Sequence, residues 1–318
     1  MKRWLIVTMA ALAFPAAAQN YPNKVVRIIG PFAAGGGIDV LARQIAQKLN
    51  ESYGQFFMVE NRAGATGTMG AAIVAKSPPD GYNLILHSSS TYIAPYLYRS
   101  VPYDAVRSFA PVVNCVMYPF YIVAAPSLPA KNVRELIALA KKNLAQLTYA
   151  TPGYGSGGHL VMEMLNTAAG LKLVQIPYKG SASWLTAVGS GEVALGITSI
   201  LTAQPLVKVG KLHGMAVTSA KRSPAVPEVP TMIESGLPGF EANLWAGLFS
   251  TAGTPAAIVN QLNTSVTRIL TTAEMKDWLL QSMGGEFTSN TPEQFSEFLA
   301  SDTARWRKVI KDNNVHLD

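Results

Sequence analysis

From residue 24 onward, short β-rich runs alternate with amphipathic stretches. Lys24-Val25-Val26-Arg27-Ile28-Ile29 reads as a strand that ends at Gly30-Pro31. Ile38, Leu41, Ala42, Ile45 and Leu49 then recur at the spacing of a helix's apolar face. Residues 55–60 form the next strand, residues 64–70 a glycine-rich turn. A short Ala-rich helix stops at Ser77-Pro78-Pro79-Asp80-Gly81, where proline and Asp-Gly force a turn. Residues 82–86 are the third strand. A second unit of the same kind starts at Phe120-Tyr121-Ile122-Val123. Asn132 and Glu135 have the spacing of a capping box, ahead of a helix with Val133, Leu136, Ile137 and Ala140 on one face. Residues 147–150 are a strand running into Gly153-Tyr154-Gly155-Ser156-Gly157-Gly158, with a helix from His159. Strands near residues 173–176, 193–195 and 215–217 follow. Pro224, Pro227, Pro230 and Pro238 make residues 222–240 an extended connector. After it come a strand at 244–249 and three amphipathic helical segments. Strand–helix–strand order predicts an α/β fold with a mainly parallel sheet and helices on its faces. No short period repeats, which excludes a solenoid.

The first residues read as an address. Lys2 and Arg3 precede the apolar stretch 4–14, which is too short to cross a hydrocarbon core of about 30 Å. Ala16-Ala17-Ala18 then supplies the small-x-small pattern of a cleavage site. A secretory signal peptide cut after Ala18 is expected, and with it an exported chain. The formal net charge of +7 falls to +5 when Lys2 and Arg3 are removed. No dense basic run appears, so a nucleic-acid partner is not expected; a mild pull on anionic small molecules remains. At roughly 150 residues per domain, 318 residues make about two domains, and 49% hydrophobic content fills their cores. The lone Cys115 excludes an intramolecular disulfide and a cysteine-built zinc site. His87, His159, His213 and His316 are scattered without an HExxH. No metal and no cofactor are expected.

Three glycine-rich turns each join a strand to a helix. Glycine lets backbone N–H groups approach a ligand, and a helix N-terminus adds unpaired donors and about half a positive charge. Converging termini can therefore hold a carboxylate without an arginine. Enzyme readings fit less well. Gly153, Gly155 and Gly158 match GxGxxG, but Tyr178-Lys179 stands where an acidic residue should end the next strand. Ser156 lacks the spacing of GxSxG, because Tyr154 occupies the first glycine position. Cys115 lies in an apolar run and reads as a core residue, as do Trp184 and Trp245. His159 reads as a helix-start residue near a cleft rather than a catalytic base.

The segment from Tyr21-Pro22-Asn23-Lys24 through Gly30-Pro31-Phe32-Ala33-Ala34-Gly35-Gly36-Gly37 to Asp39-Val40-Leu41-Ala42-Arg43 resembles the opening of the Bug family. These are the substrate-binding proteins of tripartite tricarboxylate transporters. Val59-Glu60-Asn61-Arg62-Ala63-Gly64-Ala65, Pro79-Asp80-Gly81-Tyr82, Val174-Gln175-Ile176-Pro177-Tyr178-Lys179-Gly180, residues 216–223 and residues 234–240 extend the likeness to about residue 312. The resemblance implies a two-lobed periplasmic binding protein of the type II kind, each lobe a mainly parallel sheet flanked by helices. One lobe would combine 21–122 with 246–318, and the other would be 123–245. It implies a monomeric, non-enzymatic receptor for a small organic acid, serving the transporter's membrane components. A periplasmic solute sensor and a binder of nicotinamide-type ligands are the alternatives. Carried over residue by residue, the implied ligand contacts are Phe32, Ala33, Ala34, Gly35, Gly36, Ile38 and Asp39 in the first loop. Ala65, Thr66 and Gly67 follow in the second, then Ser88 and Ser89. Gly153, Gly155, Ser156, His159, Tyr178 and Ser199 face them from the other lobe. Ile38 replaces the family's usual Ser or Thr. Ala194 and Thr198-Ser199 stand where Asp and Asp-Asn are frequent. The loss of those carboxylates favours a plain carboxylate ligand over an amino acid.

Overall fold

The computed structural model describes residues 21–142, 147–178, 181–313 and 315. The expected leader, Lys179, Gly180 and His316 lie outside the described residues. The chain begins β1 (Val26–Gly30), α1 (Gly37–Tyr53), β2 (Phe57–Asn61), α2 (Thr68–Ala75), β3 (Asn83–Ser88) and a short α3 (Ser89–Ile93). A 16-residue strand, β4 (Phe109–Ala124), leads into α4 (Val133–Lys142), β5 (Thr148–Thr151), α5 (Gly157–Ala169) and β6 (Val174–Pro177). Then come α6 (Ser181–Ser190), β7 (Leu195–Ser199), α7 (Ile200–Lys208), β8 (His213–Val217) and β9 (Asn243–Thr251). Three helices close the fold: α8 (Ala256–Leu270), α9 (Ala273–Trp278), continued by one π-helical turn Leu279–Met283, and α10 (Pro292–Asp312).

The strand order is β2-β1-β3-β9-β4-β7-β5-β6, with β8 also on β4. The outer strands pair in parallel, β1 with β2 and β3, and β5 with β6 and β7. The central pairings of β4 and β9 are antiparallel, so the sheet is mixed. β4 changes partner along its length. Residues 109–119 pair with β9, and residues 120–124 pair with β7 and β8. One strand thus runs through both groups of parallel strands. It is buried on nearly every residue, which explains why its sequence is apolar at nearly every position, Asn114 excepted, instead of alternating.

Elsewhere the period of two is visible in the packing. Ile28, Leu84 and Leu86 enter one core while their neighbours Ile29 and Ile85 enter another. Tyr149 and Ile122 join the first core; Ala150, Tyr121 and Val123 form a third with Trp184. Trp184 and Trp245 are both fully buried, and Trp245 Nε1 donates to Asp302 Oδ2 at 2.8 Å.

Several local expectations are corrected. Asn132 Oδ1 accepts from Glu135 N–H at 2.9 Å, but the Glu135 carboxylate accepts from Lys131 N–H and Asn132 Nδ2, so the box is not reciprocal. The strand expected at 193–195 lies two residues later, because Gly196 to Ser199 must reach β4. Residues 222–240 fold as successive turns, joined to β8 by a Val217–Thr231 bridge. Among the described residues no helix is long and apolar enough to cross a membrane.

His87 lies fully buried on β3, edge-on to the rings of Phe109 (4.6 Å) and Phe249 (5.0 Å). Neither ring nitrogen has a hydrogen-bond partner. Burial pushes its pKa down to about 3, whereas an unfolded chain takes up the proton near the ordinary value of about 6.5. The neutral ring's contribution to stability is therefore complete above pH 6.5 and declines as pH falls toward 3, by at most about 1.4 kcal/mol per pH unit. Replacing His87→Phe removes the titration. Urea unfolding should show the unaltered protein losing about 1.6 kcal/mol relative to this variant between pH 6.5 and 5.0; parallel pH profiles would contradict the assignment.

Candidate ligand-binding cleft

The loops that follow β1, β2, β3, β5 and β7 all emerge at the carboxyl ends of parallel-sheet strands, where open α/β folds bind ligands. The first runs from Pro31 to Gly36, with Ala33 to Gly36 exposed. Its shape is set by Asp39, one turn into α1. The Asp39 carboxylate accepts from Gly35 N–H (2.8 Å), Asn61 Nδ2 (2.8 Å) and Arg43 Nε (3.1 Å), and pairs with a second Arg43 nitrogen at 3.0 Å. Burial works to raise its pKa, but the bonds from Arg43, Gly35 and Asn61 outweigh this and hold it below the ordinary carboxylate value. Asp39 is therefore a brace for the loop, its oxygens already engaged, and not a free partner for a ligand. Ile38 is buried in the main core, so only its backbone can contribute at the helix start. Phe32 packs half-buried against that core.

The second loop carries four consecutive residues at positive φ: Gly64 (141°), Ala65 (46°), Thr66 (55°) and Gly67 (88°). Two of these have side chains, a strained arrangement that folds keep where the backbone must take a set shape. Thr66 Oγ1 lies 3.1 Å from the Tyr98 hydroxyl. A side-chain carbon on Gly67 would sit 2.5 Å from Thr91 Oγ1 and 3.0 Å from Pro31 Cβ, so this loop touches both the first loop and α3. Ser88 caps α3, accepting from Thr91 N–H at 3.3 Å. Ser89 Oγ is buried with no hydrogen-bond partner.

The third loop is held from within. Gly153 O accepts from Ser156 Oγ (2.8 Å), Gln175 Nε2 (3.0 Å) and Thr151 Oγ1 (3.1 Å). Ser156 Oγ also caps α5, taking His159 N–H at 3.3 Å, so the helix starts two residues before His159. His159 Nδ1 accepts from Gly155 N–H at 3.1 Å. Burial lowers the His159 pKa, against an opposing pull from Glu163. Ser156 and His159 thus share a backbone cap and are not linked hydroxyl to imidazole, so they form no nucleophile–base pair. The Cys115 thiol is also inert, its pKa pushed up to about 12 by burial. The Tyr178 hydroxyl is turned to Glu192 at 3.4 Å. Ser199 Oγ lies 3.0 Å from Thr202 Oγ1 and leaves the start of α7 without a side-chain cap.

Two contacts bring the halves together. Gly157 N–H donates to Ser90 Oγ at 3.0 Å, and a side-chain carbon on Gly157 would lie 2.8 Å from Phe120 Cζ. A carbon on Gly37 would lie 3.7 Å from Leu201 Cδ2, which sets the start of α1 against the start of α7. The helices α1, α2 and α7 have no side-chain cap at their N-termini, in contrast to α3 and α5. Their dipole ends give this region a positive character. The arginines that flank the first two loops in sequence are engaged elsewhere: Arg43 by Asp39 and by Asn61 Oδ1 at 3.0 Å, Arg27 and Arg62 by the Glu60 carboxylate.

Comparison with known proteins decides the lineage. The profile described as "Tripartite tricarboxylate transporter family receptor" matches residues 41–315. The chain belongs to this receptor family. BugT of Bordetella pertussis is 33% identical over 315 residues, 98% of this chain and 96% of BugT. Among solved structures, R. palustris Rpa4515 with adipate is 36% identical with a TM-score of 0.87. The match covers 93% of this chain and 99% of that one. MatC from Rhodopseudomonas palustris, with bound malate, is 31% identical with a TM-score of 0.82, covering 91% and 100%. The two-lobed periplasmic binding fold expected from the sequence is the fold of these receptors.

Ser90, Asn61, Gln175 and Leu201 were not legible as site residues. Asn61 and Arg43 had a signal, since both lie in segments that resemble the family. Ser90 had none, because its partner lies 67 residues away.

The backbone of Gly36 is ordinary (φ −76°), and a side-chain carbon there would meet only Ala33 O at 3.5 Å. Gly36→Val should therefore fold normally, with a melting temperature within a few degrees of the parent, yet lose ligand-induced stabilisation. A thermal-shift titration checks this. Unchanged stabilisation by ligand would mean that this receptor's first loop does not touch what it binds.

Proposed function

We propose that this chain is a periplasmic receptor, released by cleavage after Ala18, that holds a small organic acid by its carboxylate between two lobes. It then delivers the acid as a monomer to the membrane components of a tripartite tricarboxylate transporter. The lobes divide at residues 21–122 with 246–318, and 123–245, near the point where β4 changes partner. The observation that carries the reading is the meeting of uncapped helix starts. Those of α1 and α2 come from one side, that of α7 from the other, and the buried unpartnered Ser89 hydroxyl stands beside them. Each terminus contributes about 0.3–1 kcal/mol toward an anion, more when partly buried, so several are needed for useful affinity. Adipate and malate in the two R. palustris relatives are ligands of the kind such a cleft suits.

The ligand contacts within this reading are backbone groups of residues 33–38 and 65–67, Ser89, and the Gly153–Ser156 loop. The chain takes no part in chemistry and uses no cofactor. Calorimetry on residues 19–318 should give sub-millimolar binding for at least one of adipate, malate and benzoate, and none for the matching amide, which lacks the charge. Equal binding of acid and amide, or no binding of any of the three acids, would overturn the carboxylate reading.

A further inference from the structure

Within the third loop, the Gly155 amide has one side-chain acceptor, His159 Nδ1. Gly153 (φ 142°) and Gly155 (φ 70°) hold the turn in conformations that a side chain would resist. The Gly153 carbonyl is drawn inward by three side-chain donors and the Ser156 N–H, and the Gly155 amide is drawn inward by His159 Nδ1. These bonds fix the path into α5, whose second contact, Gly157 N–H to Ser90 Oγ, ties the loop to the opposite side of the cleft.

We propose that His159 is a positioning residue for this loop and that carboxylate binding requires its neutral imidazole: protonation of Nδ1 removes the acceptor for Gly155 N–H and releases the loop from its binding shape. The inference rests on the carboxylate reading above. An imidazolium has two donors and no acceptor, so Nδ1–H would face the Gly155 N–H directly. One of the two must turn away, and a buried donor is left without a partner.

The surroundings of the ring decide the sign. Glu163, one turn further along α5, has Oε1 4.0 Å from His159 Nε2. That oxygen already accepts from the Tyr149 hydroxyl of β5 (2.7 Å) and from Asn166 Nδ2 (3.2 Å). The Tyr154 ring stands edge-on to the imidazole at 5.8 Å. Gln175 of β6 and the β7 strand bring no ionisable group, α3 brings only the Tyr92 hydroxyl, and α10 meets α5 at its far end, through Asn313 and Thr167. A proton on the ring is therefore neutralised on the Glu163 side and adds little attraction for an anion in the cleft. The lost hydrogen bond dominates, and affinity falls as the ring is charged. Burial lowers the His159 pKa, so the fall comes below pH 6.5.

The test compares residues 19–318 with His159→Asn and His159→Leu. Asparagine places an amide oxygen near the position of Nδ1, an acceptor that does not titrate; leucine has none. Binding of adipate, malate and benzoate is measured by calorimetry from pH 8.0 to 4.5. At pH 8.0 His159→Asn should bind within about threefold of the unaltered protein, and His159→Leu at least tenfold more weakly. On acidification the unaltered protein should lose at least tenfold more affinity than His159→Asn; protonation of the probe itself is common to both. A difference smaller than tenfold overturns the proposal. Should His159→Asn fail to fold, the unaltered protein still decides: the Gly155 amide resonance must titrate together with the His159 ring, and independent behaviour overturns the proposal. If none of the three acids binds at pH 8.0, the carboxylate reading falls first and this inference with it.

Discussion

Strand β4 is the member from which both halves of the molecule hang. Its first eleven residues are stitched to β9, and its last five to β7 and β8. A strand that must be covered on both faces and paired on both edges can carry few polar groups, and this one is buried almost throughout. The arrangement fixes where the two sets of loops meet. Phe120, at the change of partner, is also the ring that limits space at Gly157. A side chain added at Gly157 would push the start of α5 away from Phe120 and Ser90.

The second constraint is electrostatic. An anion taken out of water needs compensation, and in the proposed reading it comes from backbone donors and helix ends rather than from an arginine. Asp39 makes this possible indirectly. By gathering Arg43, Asn61 and the Gly35 amide, it uses up the nearby cation and fixes the first loop, leaving the N–H groups at the start of α1 unclaimed. The third loop is built on the same plan with a neutral acceptor, His159, in place of a carboxylate. One loop is braced by a carboxylate held below its ordinary pKa and the other by an imidazole.

Much of this was legible in the sequence. The helix stripe at Ile38, Leu41, Ala42, Ile45 and Leu49 and the strands beside it follow from local periodicity, which a chain displays directly. The glycine loops were visible because their composition has few other uses. What stayed hidden depends on distant partners. The antiparallel insertion of β9 between β3 and β4 joins residues more than a hundred positions apart. The role of Asp39 as a brace depends on Asn61, in the next strand. Tyr178 looked like a ligand contact because it sits in a family-like segment, yet its hydroxyl is turned to Glu192. Ser90 is an unremarkable serine until the fold brings it against α5.

The claim that matters most is that donors from two lobes close on one carboxylate. Small-angle X-ray scattering of residues 19–318, with and without a saturating amount of the tightest-binding acid, tests it directly. Closure of the lobes about β4 and β9 predicts a smaller radius of gyration with ligand and a loss of the open form. An unchanged radius of gyration at demonstrated saturation would contradict the account.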